Sequence, residues 1–258
     1  MTSTTTSLGT ASQVWCLKDL FSSLNDPKLL AILTDSAKTA SHFSKTYKGH
    51  LQSLTPAALC TAIMEKEAIL SPLYKANQYA SLSYAVATND TAIKKLQSRI
   101  DDVITEVGNL LLFFSLECGQ FSEEHLHLLL RDPALKNYHY MLKRYHDTAR
   151  FDLSEPEEKI INIKDVTGID SYQTLYGDLT ASFSFNVTVD GKRKELTGSE
   201  TRALRLHPDQ KTRQRAMKTF FKRYEREHIT IEHIFNATFK DFNTERKLRG
   251  YASPISVR

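Results

Sequence analysis

No stretch of this 258-residue chain offers the ~20 consecutive apolar residues that a membrane span requires, so no membrane partner is expected. Nine glycines and seven prolines are too few for a turn-rich all-β fold. Cys16, Cys60 and Cys118 are odd in number, far apart and form no C-x-x-C. That usage fits a reducing compartment, and the expected location is cytoplasmic. Residues 1–12 are rich in Thr and Ser and lack the apolar centre of a signal peptide, so they are predicted to form a disordered tail. The Asn-x-Thr sequons at Asn89, Asn186 and Asn236 then read as chance matches. A formal net charge of +4 is too small to demand a nucleic-acid partner.

Signatures of catalysis are missing too. The chain has no H-E-x-x-H, no glycine-rich phosphate loop and no G-x-S-x-G elbow. His125 and His127 stand two apart on a predicted helix, where side chains two apart point roughly 200° away from each other and cannot share an ion. His228 and His233 flank Glu232 but stand five apart, whereas a helical ligand pair needs a spacing of four. Glu123-Glu124 and Glu157-Glu158 each open a predicted helix, where the helix dipole favours acids, so they read as structural rather than as acid–base groups.

What is present is helical periodicity. Asp26-Pro27 and Thr55-Pro56 are N-cap-plus-proline starts. After the first, Leu29, Leu30, Leu33, Ala37 and Ala40 follow at helical spacing. The second opens a longer pattern: Leu59, Ile63, Lys66, Leu70, Leu73, Asn77, Ala80, Tyr84 and Ala87, in steps of four and three broken only by Lys66 and Asn77. Beyond Thr88-Asn89-Asp90 come Ile93, Leu96, Ile100, Val103, Val107, Leu110 and Phe114, without a break. Two heptad-like seams joined by a short polar linker predict a long antiparallel helical hairpin, roughly 45 Å at 1.5 Å per residue. Trp15, Leu17, Leu20 and Phe21 are expected to dock on the body.

Shorter helices are expected at 122–131, 133–147 and 154–164. The alternation from Ser182 to Val189, the Asp190-Gly191 turn and the stretch Lys192–Leu196 predict one β-hairpin. Two helices close the chain. One carries Ala216, Phe220 and Tyr224; the other carries Ile231, Phe235, Phe239 and Phe242 on one stripe. The fold class is therefore mainly α: a long antiparallel hairpin plus a helical bundle with one small β-hairpin. Between residues 192 and 226 twelve Lys and Arg face only four acids, Glu195, Glu200, Asp209 and Glu225. Such a run can contact phosphates or an acidic partner. The aromatics within it share one helical stripe and read as core, so no nucleic acid is expected.

An ordered set of short motifs runs through the second half of the chain: Leu153-Ser154, Glu157-Glu158-Lys159-Ile160, Thr167-Gly168, Leu175-Tyr176-x-x-Leu179-Thr180, the hairpin with Leu196-Thr197, Arg213-x-x-Ala216, Asn236 and Arg249-Gly250-Tyr251-x-Ser253. In order and spacing this set resembles the oligoendopeptidase F family of zinc peptidases. Trp15-x-Leu17-x-x-Leu20 and Phe113-Phe114-x-x-Glu117 agree more weakly. The resemblance implies a helical N-terminal region, non-catalytic in itself, that helps to enclose a channel where short unfolded peptides are hydrolysed. In that family zinc is held by the two histidines of H-E-x-x-H and a later glutamate, none of which this chain contains. No catalytic, cofactor-binding or metal-binding residue is therefore assigned here, and zinc is implied only for a catalytic portion. The expected organisation is a tail at 1–12, a helical region at 13–150 and an oligoendopeptidase F-like N-terminal domain at 151–258, ending before the catalytic domain as a fragment would. The expected partners are that catalytic portion and short peptides. Phe235, Phe239 and Phe242 are the interface candidates. The alternative reading is a stand-alone helical interaction module without peptidase activity.

Overall fold

The structure, a computed structural model, describes residues 16–88 and 90–257. The tail expected at 1–12, the docking residue Trp15 and Asn89 of the expected hairpin tip lie outside the described residues. The chain divides into two compact units, Met1–Leu111 and Leu112–Arg258.

In the first unit, α1 (Pro27–Tyr47) starts at the predicted cap. One Asp26 oxygen accepts from the Lys28 N–H at 2.8 Å, and the other accepts from the N–H and hydroxyl of Ser22. Those bonds, the Ser22 backbone bond foremost, hold the Asp26 carboxyl below the usual range. Just ahead of the cap, Phe21 is buried edge-on against Tyr79 at 5.4 Å, so this part of the opening segment docks as expected.

Helix α2 (Pro56–Val86) begins with the Thr55 hydroxyl accepting from the Ala58 N–H and Pro56 in the first turn. Helix α3 (Thr91–Gly119) runs back along it. The Gln97 amide donates to Asn77 at 2.9 Å, the Ser81 hydroxyl donates to Gln97, and the Lys94 ammonium lies 5.9 Å from the Tyr84 ring centre. Residues rising on one helix meet residues falling on the other, which is the antiparallel pairing that the seams predict. Asn77, a break in the apolar pattern, is thus a polar tie between the two helices. On α3 the seam residues Ile93, Leu96, Ile100, Val107 and Phe114 are buried, while Val103 and Leu110 are half-buried. The α2 register differs in part. Ile69 and Ser83 are buried and their neighbours Leu70 and Tyr84 only half-buried, because α2 packs on α1 along a second side and so buries more than one seam.

In the second unit, Ser122 caps α4 (Glu123–Arg131). The single helix expected at 133–147 is a 3-10 segment, Pro133–Tyr138, followed by α5 (His139–Thr148). Helix α6 (Glu155–Thr167) is followed directly by α7 (Ile169–Ala181), a helix not among those expected. Strands β1 (Phe185–Val189) and β2 (Lys192–Leu196) pair antiparallel, with Phe185 opposite Leu196 and Val189 opposite Lys192. Asp190 and Gly191 both have positive φ, 49° and 75°, the two-residue turn whose twist matches a hairpin. Helix α8 (Gly198–Ala203) and a 3-10 turn at Leu204–Leu206 lead to α9 (Gln210–Glu225) and α10 (His228–Leu248).

The alternation of β1 buries Phe185, Val187 and Val189, which join Phe183 just before the strand and Ala216 of α9. Phe220 stacks on Phe185 at 5.3 Å with the rings 10° apart, and Tyr224 meets Phe183 edge-on. Each such buried ring contributes roughly 1.5–3 kcal/mol. This cluster fixes the hairpin on α9; α7 packs between α6 and α10 as a layer, and α4 and α5 pack with the 3-10 segment between them.

Candidate functional site

The histidines singled out by sequence do not converge. His125 is half-buried, with its ring edge-on to Phe121 at 5.0 Å, whereas His127 is exposed. His228 opens α10, its Nδ1 lying 2.9 Å from the Glu225 carbonyl, and His233 lies against Tyr172 at 5.9 Å. Among the described residues no three His, Cys, Asp or Glu side chains are grouped to hold a metal ion. The cysteines are thiols in separate places: Cys16 exposed, Cys60 half-buried and Cys118 buried. No helix of the described residues is long and apolar enough to cross a membrane.

The chemistry that does converge is an ion pair. Glu157 closes a capping box, taking the Ser154 N–H at 2.9 Å and its hydroxyl at 2.6 Å. Its neighbour Glu158 is only 6% exposed. The Arg249 guanidinium donates to both Glu158 oxygens, through Nη2 at 2.8 Å and through Nη1, and the Leu153 N–H adds a third bond at 2.9 Å. Burial alone would raise the Glu158 carboxyl, but the Arg249 bonds and the Leu153 N–H outweigh it and hold the group below its ordinary range. Arg249 is held protonated in turn, by its bonds to Glu158 first and then to Glu245.

The same end of α10 is fixed twice more. Gly250, at φ 74°, lets the Tyr251 N–H reach the Arg246 carbonyl and its own N–H reach Lys247, a left-handed helix stop. The Tyr251 ring then stacks on Phe151 at 4.1 Å. Arg249-Gly250-Tyr251 is therefore bolted to residues 151–158. Reading Glu157-Glu158 as one dipole-favoured pair misses the second role. The available signal was Arg249, a basic residue inside the other motif of the same resemblance.

Phe235, Phe239 and Phe242 lie on α10 beside α7. Phe235 meets Tyr176 edge-on at 5.8 Å and Phe239 at 6.3 Å, yet Phe235 is 47% and Phe239 61% exposed; Phe242 is half-buried. Ile160 and Ile163 of α6 and Leu175 of α7 are exposed as well. A groove of about 490 Å³ between the start of α7 and α10 is lined by Tyr172, His233, Asn236, Lys240 and Asp241 among others. Phe235 and Phe239 thus leave apolar ring surface uncovered on α10.

This arrangement, a β-hairpin seated on one helix with a layer of three more, is similar in fold to part of a known class of peptidase structures. The Oligopeptidase F family model matches residues 117–185. The crystal structure of oligoendopeptidase-F from Enterococcus faecium is similar to 94% of the chain and 46% of its own, with a TM-score of 0.76 at 19% identity. An oligoendopeptidase F homolog of Borreliella burgdorferi is 25% identical over 192 residues, which is 74% of this chain and 32% of that protein. The chain thus spans less than half the length of the proteins it matches. Together these matches support an N-terminal portion of the oligoendopeptidase F family.

Proposed function

We propose that the chain is the non-catalytic N-terminal portion of an oligoendopeptidase F-like zinc metalloendopeptidase of the cytoplasm, and that its helices form part of the wall of a channel for short peptides. The single observation that carries the reading is the fold likeness, which takes in 94% of this chain but only 46% of an oligoendopeptidase-F. The described residues do not fit a zinc site, since they group no three potential ligands. Zinc and the hydrolytic water therefore belong to the complementary portion, and no step of hydrolysis is assigned to side chains here. The exposed rings of Phe235 and Phe239, with Phe242 beside them, are the surface offered to that portion.

Reconstitution tests the reading. The purified chain alone is expected to bind no stoichiometric zinc by elemental analysis and to leave a quenched fluorescent peptide uncut. It should bind a hydrophobic dye or self-associate in light scattering. A separately expressed partner half bearing H-E-x-x-H should suppress both effects and cleave the peptide faster with the chain than without it. A monodisperse, dye-silent chain that ignores the added half would instead favour a stand-alone helical interaction module.

A further inference from the structure

The basic run at 192–226 plays no part in the reading above, and its geometry on α9 is specific. At 3.6 residues per turn, Lys211, Arg215, Lys218, Lys222 and the C-cap residue Arg226 fall within an arc of about 80°. All five are exposed. The opposite side of α9 carries the buried or half-buried Thr212, Ala216, Phe220 and Tyr224, and it is there that β1, α8 and the 3-10 turn Leu204–Leu206 pack. Among the described residues, Lys211, Lys218, Lys222 and Arg226 have no ion-pair partner, while Arg215 lies 3.8 Å from Asp209. The acids of the region are otherwise engaged. Asp209 caps α9 through Thr212, Glu200 caps α8 through Thr197, Glu195 accepts from Ser184, and Glu227 pairs with Arg223. Glu225 alone borders the stripe unengaged, about 20° beyond it.

We propose that this stripe is a docking surface for an acidic polypeptide segment in extended conformation. Successive charges stand about 4.5–6 Å apart along α9, and the stripe runs for about 22 Å in single file. An extended chain presents alternate side chains on one side about 6.8 Å apart, so carboxylates at every second residue match the stripe nearly one to one. An acidic helix could match the spacing as well, but like charges four apart destabilise it before it binds. A single nucleic-acid strand offers similar spacing, but it binds through aromatic platforms interleaved with the charges. Here Phe220 and Tyr224 are turned into the core against Phe185 and Phe183, and Phe221, exposed, lies about 60° outside the arc.

The test is fluorescence anisotropy of a dye-labelled alternating Glu-Thr peptide against the full chain at low salt. The peptide should bind, should weaken as salt rises, and should be displaced by unlabelled copies, whereas an alternating Gln-Thr peptide should not bind. Replacing Lys211, Lys218, Lys222 and Arg226 together by Gln should weaken binding about tenfold with the thermal midpoint little changed, because all four side chains are exposed. A control with the exposed Lys18, Lys28, Lys38 and Lys45 replaced by Gln removes the same charge elsewhere and should bind like the parent. The proposal is overturned by absent binding, by equal loss in both variants, or by tighter binding of an oligothymidylate or of phosphatidylserine vesicles than of the acidic peptide. None of these outcomes depends on zinc, on peptidase activity or on the partner half.

Discussion

Glu157 and Glu158 are adjacent, chemically identical and opposite in fate. One is an exposed cap, the other a buried anion held by Arg249. Glu158→Gln leaves the buried Arg249 guanidinium with Glu245 as its remaining counter-charge, so the loss should fall at or below the low end of a broken buried pair, about 3 kcal/mol in urea unfolding at pH 7. The folded pKa of Glu158 is lowered, so the stability it contributes is present above the unfolded value of ~4.3 and is lost as pH falls through the folded value. The deficit of the variant should accordingly shrink in acid; a deficit constant with pH would mean that lost packing, not charge, is responsible. Asp165 behaves in reverse. Burial first, then the charges of Glu245, Asp241 and Asp170, push its carboxyl above the ordinary range. A raised folded pKa contributes stability below the unfolded value and loses it as pH rises through the folded one. Asp165→Asn should therefore raise the melting midpoint by a few degrees at neutral pH, and the gain should vanish below pH ~3.9. An unchanged midpoint at pH 7 would contradict that assignment.

At the scale of elements, the hairpin of α2 and α3 and the β-hairpin were legible because each follows a period written in the residues themselves. Ile100 is fully buried in the α3 seam. Ile100→Asp would bury an unpaired carboxylate there and should cost several kcal/mol; a thermal melt that does not move would refute the seam. Helix α7 was not foreseen although Ile169, Tyr172, Tyr176 and Leu179 stand at helical spacing; Gly168 and Gly177 weaken the local helix signal, and none of its thirteen residues is fully buried. The α2 register was legible only in part, since a helix flanked on two sides buries two overlapping seams and the simpler one hides the other. The Glu158–Arg249 bond was invisible to any local period, because its partners are 91 residues apart. For Phe235, Phe239 and Phe242 the sequence supplied the stripe, but how much of each ring stays uncovered depends on packing against α7.

For the whole molecule, the apolar surface around Phe235 and Phe239 and the bolt at Arg249 set different expectations. Replacing Phe235 and Phe239 together by Ser should lower dye binding and self-association while moving the thermal midpoint little, since both rings are about half exposed or more. A large drop in the midpoint would show that they hold the unit together instead. The bolt has a consequence in time. A chain made from its N-terminus at ~5–20 residues per second delivers Glu158 roughly 5–18 s before Arg249, which lies 91 residues later. Throughout that interval α6 carries a carboxylate that cannot be buried without a cation, and the Phe151 ring has no Tyr251 to cover it. The nascent second unit therefore lacks its latch on α6 until the last turn of α10 emerges, and a chain stalled before Arg249 should be cut by a protease near α6 faster than the full chain.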